Sequence, residues 1–161
     1  MSTEAISTKT QFSITLISRP GSMATLIDQL YKARCDIAAM TVVDTSDHGT
    51  IRLVFNSDEA TARRVLQECN LGGVAESEVL AVTMSNRPGA IADVAGKLAA
   101  AKVNIVYAYV TSGAPGGKTT GIFRTSDNKK AAKILQNGTP PARKKDPTAI
   151  VKRSAVRAGR Q

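Results

Sequence analysis

The sequence predicts an α+β fold made of two tandem copies of one βαββαβ module, and three observations predict it. Ser18-Arg19-Pro20-Gly21 returns as Asn86-Arg87-Pro88-Gly89, an offset of 68. Alternating and helically spaced apolar stretches follow one another in the same order after each motif. The 161 residues suit one domain or two very small ones, and 42% hydrophobic content is enough to build a core.

The repeat extends well past its motif. The same offset carries Leu26 onto Val94, Leu30 onto Leu98, Arg34 onto Lys102, Asp36 onto Asn104 and Ile37 onto Ile105. A one-residue insertion raises it to 69, so that Ser57-Asp58 matches Ser126-Asp127 and Leu66 matches Leu135. Polar, apolar and turn residues keep their places, as duplication of one structural unit requires.

Each copy then reads element by element. Phe12, Ile14 and Leu16 alternate with polar residues, as do Leu80, Val82 and Met84, which predicts half-buried first strands. After the Arg-Pro-Gly turn, Met23, Leu26, Ile27 and Leu30 keep helical spacing, as do Ile91, Val94, Leu98 and Ala101. Residues 37–43 and 105–110 are second strands, and 51–55 and 121–124 are third strands. Ser57-Asp58 and Ser126-Asp127 are N-caps for second helices ending near Cys69 and Gln136. Residues 74–77 supply a fourth strand that runs directly into copy two.

This order packs as an antiparallel sheet with both helices on one face, the ferredoxin-like arrangement, once per copy. Copy two has no convincing fourth strand, because its place falls among Pro140, Pro141 and Pro147, with 148–152 as a displaced candidate. The predicted division is 11–78 for module one, 79–138 for module two and 139–161 for a tail.

Charge follows that division. The chain carries Lys+Arg 22 against Asp+Glu 13, a net +9. Residues 1–138 hold 15 basic and 12 acidic residues, whereas 139–161 hold seven basic residues against Asp146 alone. Such a tail cannot bury enough apolar area to order itself. Arg143, Lys144, Lys145, Lys152 and Arg153 make nucleic acid a possible partner, and a solubility extension is the competing reading. Aromatics at 4% and the absence of Trp speak against a base-stacking platform. No apolar run is long enough for a membrane span, and the polar first ten residues lack a signal-peptide core, so the expected location is cytoplasmic. Cys35 and Cys69 read as small packed hydrophobes.

With Asn86-Arg87-Pro88-Gly89-Ala90-Ile91 following a strand, and Val103-Asn104-Ile105 following a helix, the chain resembles a tandem of ACT domains over about residues 11–137. Copy one is similar, through Ser18-Arg19-Pro20-Gly21 and Cys35-Asp36-Ile37. The resemblance implies a regulatory module that binds a small ligand, usually an amino acid, and assembles by joining sheets side by side. Copy two is particularly similar to the regulatory domain of 3-phosphoglycerate dehydrogenase, where serine is held by asparagines matching Asn86 and Asn104. Met84 stands where that domain has a histidine, so serine specificity does not carry over.

The candidate ligand-binding residues are Asn86, Arg87, Pro88, Gly89, Ala90, Ile91 and Asn104, with Ser18, Gly21, Ser22, Met23 and Asp36 from copy one. Pro88 sets φ for a first helical turn, Gly89 bares the backbone, and helix-start N–H groups suit a carboxylate. The competing reading makes Asn86 a helix cap and Asn104 a turn residue. A helix over 88–101 is about 21 Å long, so one amino acid cannot touch both asparagines and a pocket must form at a domain interface. If the copies pack about a pseudo-twofold axis, Asn86 meets Asp36 and Ser18 meets Asn104. If copy two pairs with its twin in a homodimer, Asn86 faces Asn104 of the second chain.

Other signals carry less. Residues 112–119 resemble a phosphate-binding loop, but Ser112 replaces its first glycine and a strand follows. His48 is the sole histidine and stands outside any Cys/His cluster, so no metal or cofactor is expected. No motif unites acid, base and nucleophile, so an enzyme is not expected. The leading expectation is a non-catalytic amino-acid sensor. The alternatives are a regulatory subunit of an amino-acid biosynthetic enzyme, as in the small subunit of acetolactate synthase, and a nucleic-acid-associated regulator using the tail.

Overall fold

The computed structural model describes residues 5–44, 48–56, 58–69, 71–111, 113 and 117–137. The tail, the candidate strand at 148–152 and Ser57 lie outside the described residues. Ten elements follow in order: β1 (Ala5–Ile17), α1 (Ser22–Lys32), β2 (Ile37–Asp44), β3 (His48–Phe55), α2 (Glu59–Glu68), β4 (Val74–Ser85), α3 (Ala90–Ala100), β5 (Ile105–Val110), β6 (Lys118–Thr125) and α4 (Asn128–Asn137).

The six strands form one antiparallel sheet of order β2-β3-β1-β4-β6-β5, rather than two separate sheets. The two modules fuse through β1 and β4, which pair from Ala5↔Thr83 to Ile14↔Val74. The start of β4 completes module one, as its sequence predicts. The missing fourth strand of module two is supplied from the opposite end of the chain, by the first half of β1. The offset of 68 maps Thr10 onto Glu78, and these two residues pair directly, so the pseudo-twofold axis passes between them.

Even-numbered residues of β1 face the helices along its whole length. Phe12, Ile14 and Leu16 join the module-one core with Leu26, Leu30 and Leu66, while Ile6 packs on the module-two core of Leu80, Val82, Val94 and Leu98. Both second helices start at the axis. Thr10 donates from its N–H and hydroxyl to Glu59, and Asn128 Nδ2 donates to the Glu78 carbonyl at 2.8 Å. Asp58 caps α2, accepting from the Ala60 N–H at 3.0 Å as the Ser-Asp motif predicts. Cys35 and Cys69 pack against the module-one core, and burial pushes both thiols up.

Two further details differ from expectation. Register equates Leu53 with Phe123 and Gly49 with Thr119, an offset of 70 in the third strand instead of 69. The third helix starts at Ala90 rather than Pro88, leaving Pro88 and Gly89 in the turn before it.

Around the middle of β1 the odd-numbered residues face the rear, where the sheet curls on itself. Arg52 on β3 stacks 4.4 Å from the Tyr107 ring on β5, four strands away, or about 19 Å in a flat sheet. Between them lies Gln11, 0% exposed. Its Nε2 donates to the Tyr107 hydroxyl at 2.7 Å, and its Oε1 accepts from the Tyr109 hydroxyl at 3.0 Å. Ala39, Val54, Val79 and Ile122 complete the closed rear layer.

Replacing Gln11 by Leu strips both phenols of a buried partner, so Gln11→Leu should cost about 1–3 kcal/mol, read from the urea midpoint. Burial, then neighbouring Tyr107, pushes the Tyr109 phenol above its ordinary range, against Arg52. The folded state therefore holds that proton more tightly than the unfolded chain. Stability from this site is complete below the ordinary phenol range, about pH 10, and is lost as pH rises through and beyond it. Tyr109→Phe should flatten that alkaline loss in pH-dependent unfolding.

Candidate functional site

The residues after the first strand of each module explain the local geometry. Gly21 and Gly89 sit at φ +91° and +88°, the left-handed region open to glycine, and each starts a helix. Neither helix receives a side-chain cap. Beside each start lies a cleft, bounded by the end of the first strand, the turn, the first helical turn and the far end of the second strand. Cleft one is about 350 Å³ and is lined by Ser18, Arg19, Ser22, Met23 and Val42, with Gly49 and Ile51 beneath. Cleft two is about 360 Å³ and is lined by Asn86, Arg87, Ala90, Ile91 and Val110, with Thr111 and Thr119. The repeat makes these the same cleft twice.

Of the predicted residues, the structure brings Ser18, Ser22 and Met23 together in cleft one, and Asn86, Arg87, Ala90 and Ile91 together in cleft two. Gly21, Pro88 and Gly89 shape the turns. Asp36 and Asn104 are elsewhere. Asp36 holds Asn56, accepting from its N–H and its amide, and Asn104 exchanges bonds with Ser126. Both sit before the first residue of an edge strand, whereas Val42 and Val110 line the clefts near its last, about 16–20 Å away at strand rise. The pairings of Asn86 with Asp36 and of Ser18 with Asn104 do not occur within the chain. Through the ladders, Asn86 lies about seven residues, or roughly 23 Å along the strand, from the level of Asp36 and three strands across from it.

Asn86 is no helix cap. Its Nδ2 donates to the Gly113 carbonyl at 2.8 Å and its N–H to the Gly117 carbonyl at 2.7 Å, tying the β5–β6 hairpin to the turn. That hairpin contains the loop that resembled a phosphate site, and Lys118 within it begins β6. The Arg87 guanidinium folds back onto α3, pairing with Asp93 at 2.7 Å. Thr25 occupies the position equivalent to Asp93, and among the described residues Arg19 makes no ion pair.

Sequence reasoning missed the far walls: Leu16, Ile17, Val42 and Ile51 in cleft one, and Ser85, Val110, Thr111 and Thr119 in cleft two. The signal lay in the repeat, which aligns Val42 with Val110. A further hollow, about 550 Å³ between α1 and α2, includes Ser22 alone among the predicted residues.

A family model described as an ACT domain pair matches residues 7–140. No curated protein matches the sequence. Among solved structures, a protein of Bacteroides thetaiotaomicron is 26% identical with a TM-score of 0.73, over 81% of this chain and 88% of that one. The ligand-free regulatory subunit of aspartate kinase from Thermus thermophilus aligns at a TM-score of 0.61 and 14% identity, over 83% and 97%. A structure of aspartokinase alpha and beta subunits aligns at 0.60 and 13%, over 83% and 96%. At these identities the aspartate-kinase structures share the fold. The likeness of copy two to 3-phosphoglycerate dehydrogenase rests on its motif alone. Among the described residues, no helix is long and apolar enough to cross a membrane.

The glycine conformations yield a direct test. Gly89→Ala should destabilise the protein by about 1–2 kcal/mol through left-handed strain, and Gly89→Asn by less, because Asn tolerates that region; urea unfolding of the two variants measures the order.

Proposed function

The chain belongs to the ACT domain-pair family, and we propose that it is a non-catalytic regulatory protein whose two equivalent clefts bind a free amino acid. The observation that carries this reading is the recurrence of one cleft, at the same turn and helix start, in both modules. Each is large enough for a small ligand. Arg19 offers cleft one a guanidinium for a carboxylate. Both clefts open beside a free sheet edge, where Val42 and Val110 stay half exposed.

A second copy adding its edge strand would cover that opening. Antiparallel pairing of like edges brings Asp36 or Asn104 of the added copy beside the cleft, which gives those two residues a ligand role across a homodimer. Ligand binding then favours one packing of the pair, and a partner enzyme reads the change. The Thermus thermophilus chain supports the partner reading, since it is described as a regulatory subunit and this chain spans 97% of it. Nucleic-acid binding finds no support among the described residues.

A thermal-shift screen against the twenty amino acids should raise the melting temperature with a subset of them. Met23 and Ile91 line the clefts and are half exposed, so Met23→Glu and Ile91→Glu should fold and repel a carboxylate. Each should weaken calorimetric affinity at its own cleft by about tenfold or more, or 1.4 kcal/mol. Undiminished affinity in the double variant would remove the clefts as the binding sites.

A further inference from the structure

We infer that the two clefts select different classes of amino acid: an aliphatic side chain in cleft one, and a short hydroxyl or amide side chain in cleft two. The inference rests on the reading of both clefts as amino-acid sites. Its own support is the set of differences at equivalent wall positions. Ile17 stands where cleft two has Ser85, Ser18 where it has Asn86, and Gly49 where it has Thr119. Thr111, which lines cleft two, has Val43 as its equivalent in the sequence of copy one. Along the strand walls these differences make cleft two the more polar, whereas at the helix start cleft one has Ser22 where cleft two has Ala90.

Cleft one presents Leu16, Ile17, Pro20, Met23, Val42 and Ile51 around Arg19. Among the described residues no hydroxyl lines its strand walls, and its polar groups stand at the turn and helix start. A ligand carboxylate fits there, and the rest of the ligand meets aliphatic carbon. A ligand hydroxyl turned to those walls would lose its water without replacement, a loss of affinity that aliphatic ligands avoid.

Cleft two has hydroxyls whose capacity is only half used. Thr111 Oγ accepts from the Thr120 N–H at 3.1 Å and keeps its own hydrogen to donate. Thr119 Oγ donates to the Thr111 carbonyl and keeps lone pairs to accept. One donor and one acceptor on adjacent strands match a hydroxyl or a primary amide. Such a site rejects an apolar analogue because its own polar groups would be left unpaired.

Calorimetric competition on the full chain tests this with L-leucine, L-threonine and L-asparagine as probes. L-leucine and L-threonine should bind additively, neither displacing the other. Ile17→Ser, at an exposed position, should shift cleft-one preference from L-leucine toward L-threonine by about tenfold, or 1.4 kcal/mol. Thr119→Val, which keeps the side-chain shape, should weaken L-threonine binding and leave L-leucine binding unchanged. Mutual displacement at a common site, or preferences unmoved in both variants, would overturn the inference while leaving the amino-acid reading intact. Failure of all twenty amino acids to bind wild type would instead sink the reading and this inference with it.

Discussion

Everything in this chain depends on the ladder between β1 and β4. Ten paired positions run from Ala5↔Thr83 to Ile14↔Val74, and each strand serves both modules. Side chains alternate along a strand, so one choice of register decides which residues enter both cores. With Thr10 opposite Glu78, Ile6 reaches the module-two core, while Phe12 and Ile14 reach that of module one. A slip of one residue would turn all of them outward. The bonds from Thr10 to Glu59 and from Asn128 to Glu78 hold the register where the two modules meet.

The same alternation sends Gln11 to the rear face, one residue from the axis. A buried amide needs partners, and on a flat sheet the two tyrosines of an outer strand could not reach it. Curling supplies them. Ala39 occupies the position equivalent to Tyr107, and this small side chain leaves room for the module-two tyrosines to lean across. The rear face therefore breaks the symmetry that the helix face keeps. It is also closed by its own side chains, which leaves β2 and β5, the strands that flank the clefts, as the outer strands of the sheet.

Much of this was legible in the sequence, and the rest was hidden for definable reasons. The duplicated motif, the alternating strands and the Asp58 cap follow from local chemistry. The first half of β1 does not, because Ser7, Thr8, Lys9 and Thr10 hide their strand behind polar side chains. Thr8, Lys9 and Thr10 lie near the axis, where Glu59, Glu76 and Glu78 stand beside them instead of a core. Gln11 likewise reads as a surface residue until the curl is known. The turn residues were found in sequence, but the expected meeting of Asn86 with Asp36 and of Ser18 with Asn104 does not occur within the chain, since the packing depends on where module two obtains its last strand. Asn86 illustrates the limit: its motif marks the site, while its amide holds the hairpin at Gly113.

What duplication has kept and what it has changed fall on different residues. Gly21 and Gly89 keep the same left-handed backbone, and so do Arg34 and Lys102 after the helices, at φ 59° and 57°. Both of the latter sit in the same C-terminal motif, with Cys35 and Val103 donating back to Leu30 and Leu98. These positions are bound by the fold, and both modules satisfy them alike. Ile17 and Ser85, or Gly49 and Thr119, are bound by no such backbone requirement. They occupy matching strand positions, pair in matching ladders and still differ in polarity. The ladder and the turns account for the shape of both clefts, and in cleft two Thr111 and Thr119 also bond across the strands; what their hydroxyls keep beyond those bonds is where the chemistry of recognition can enter without disturbing the frame.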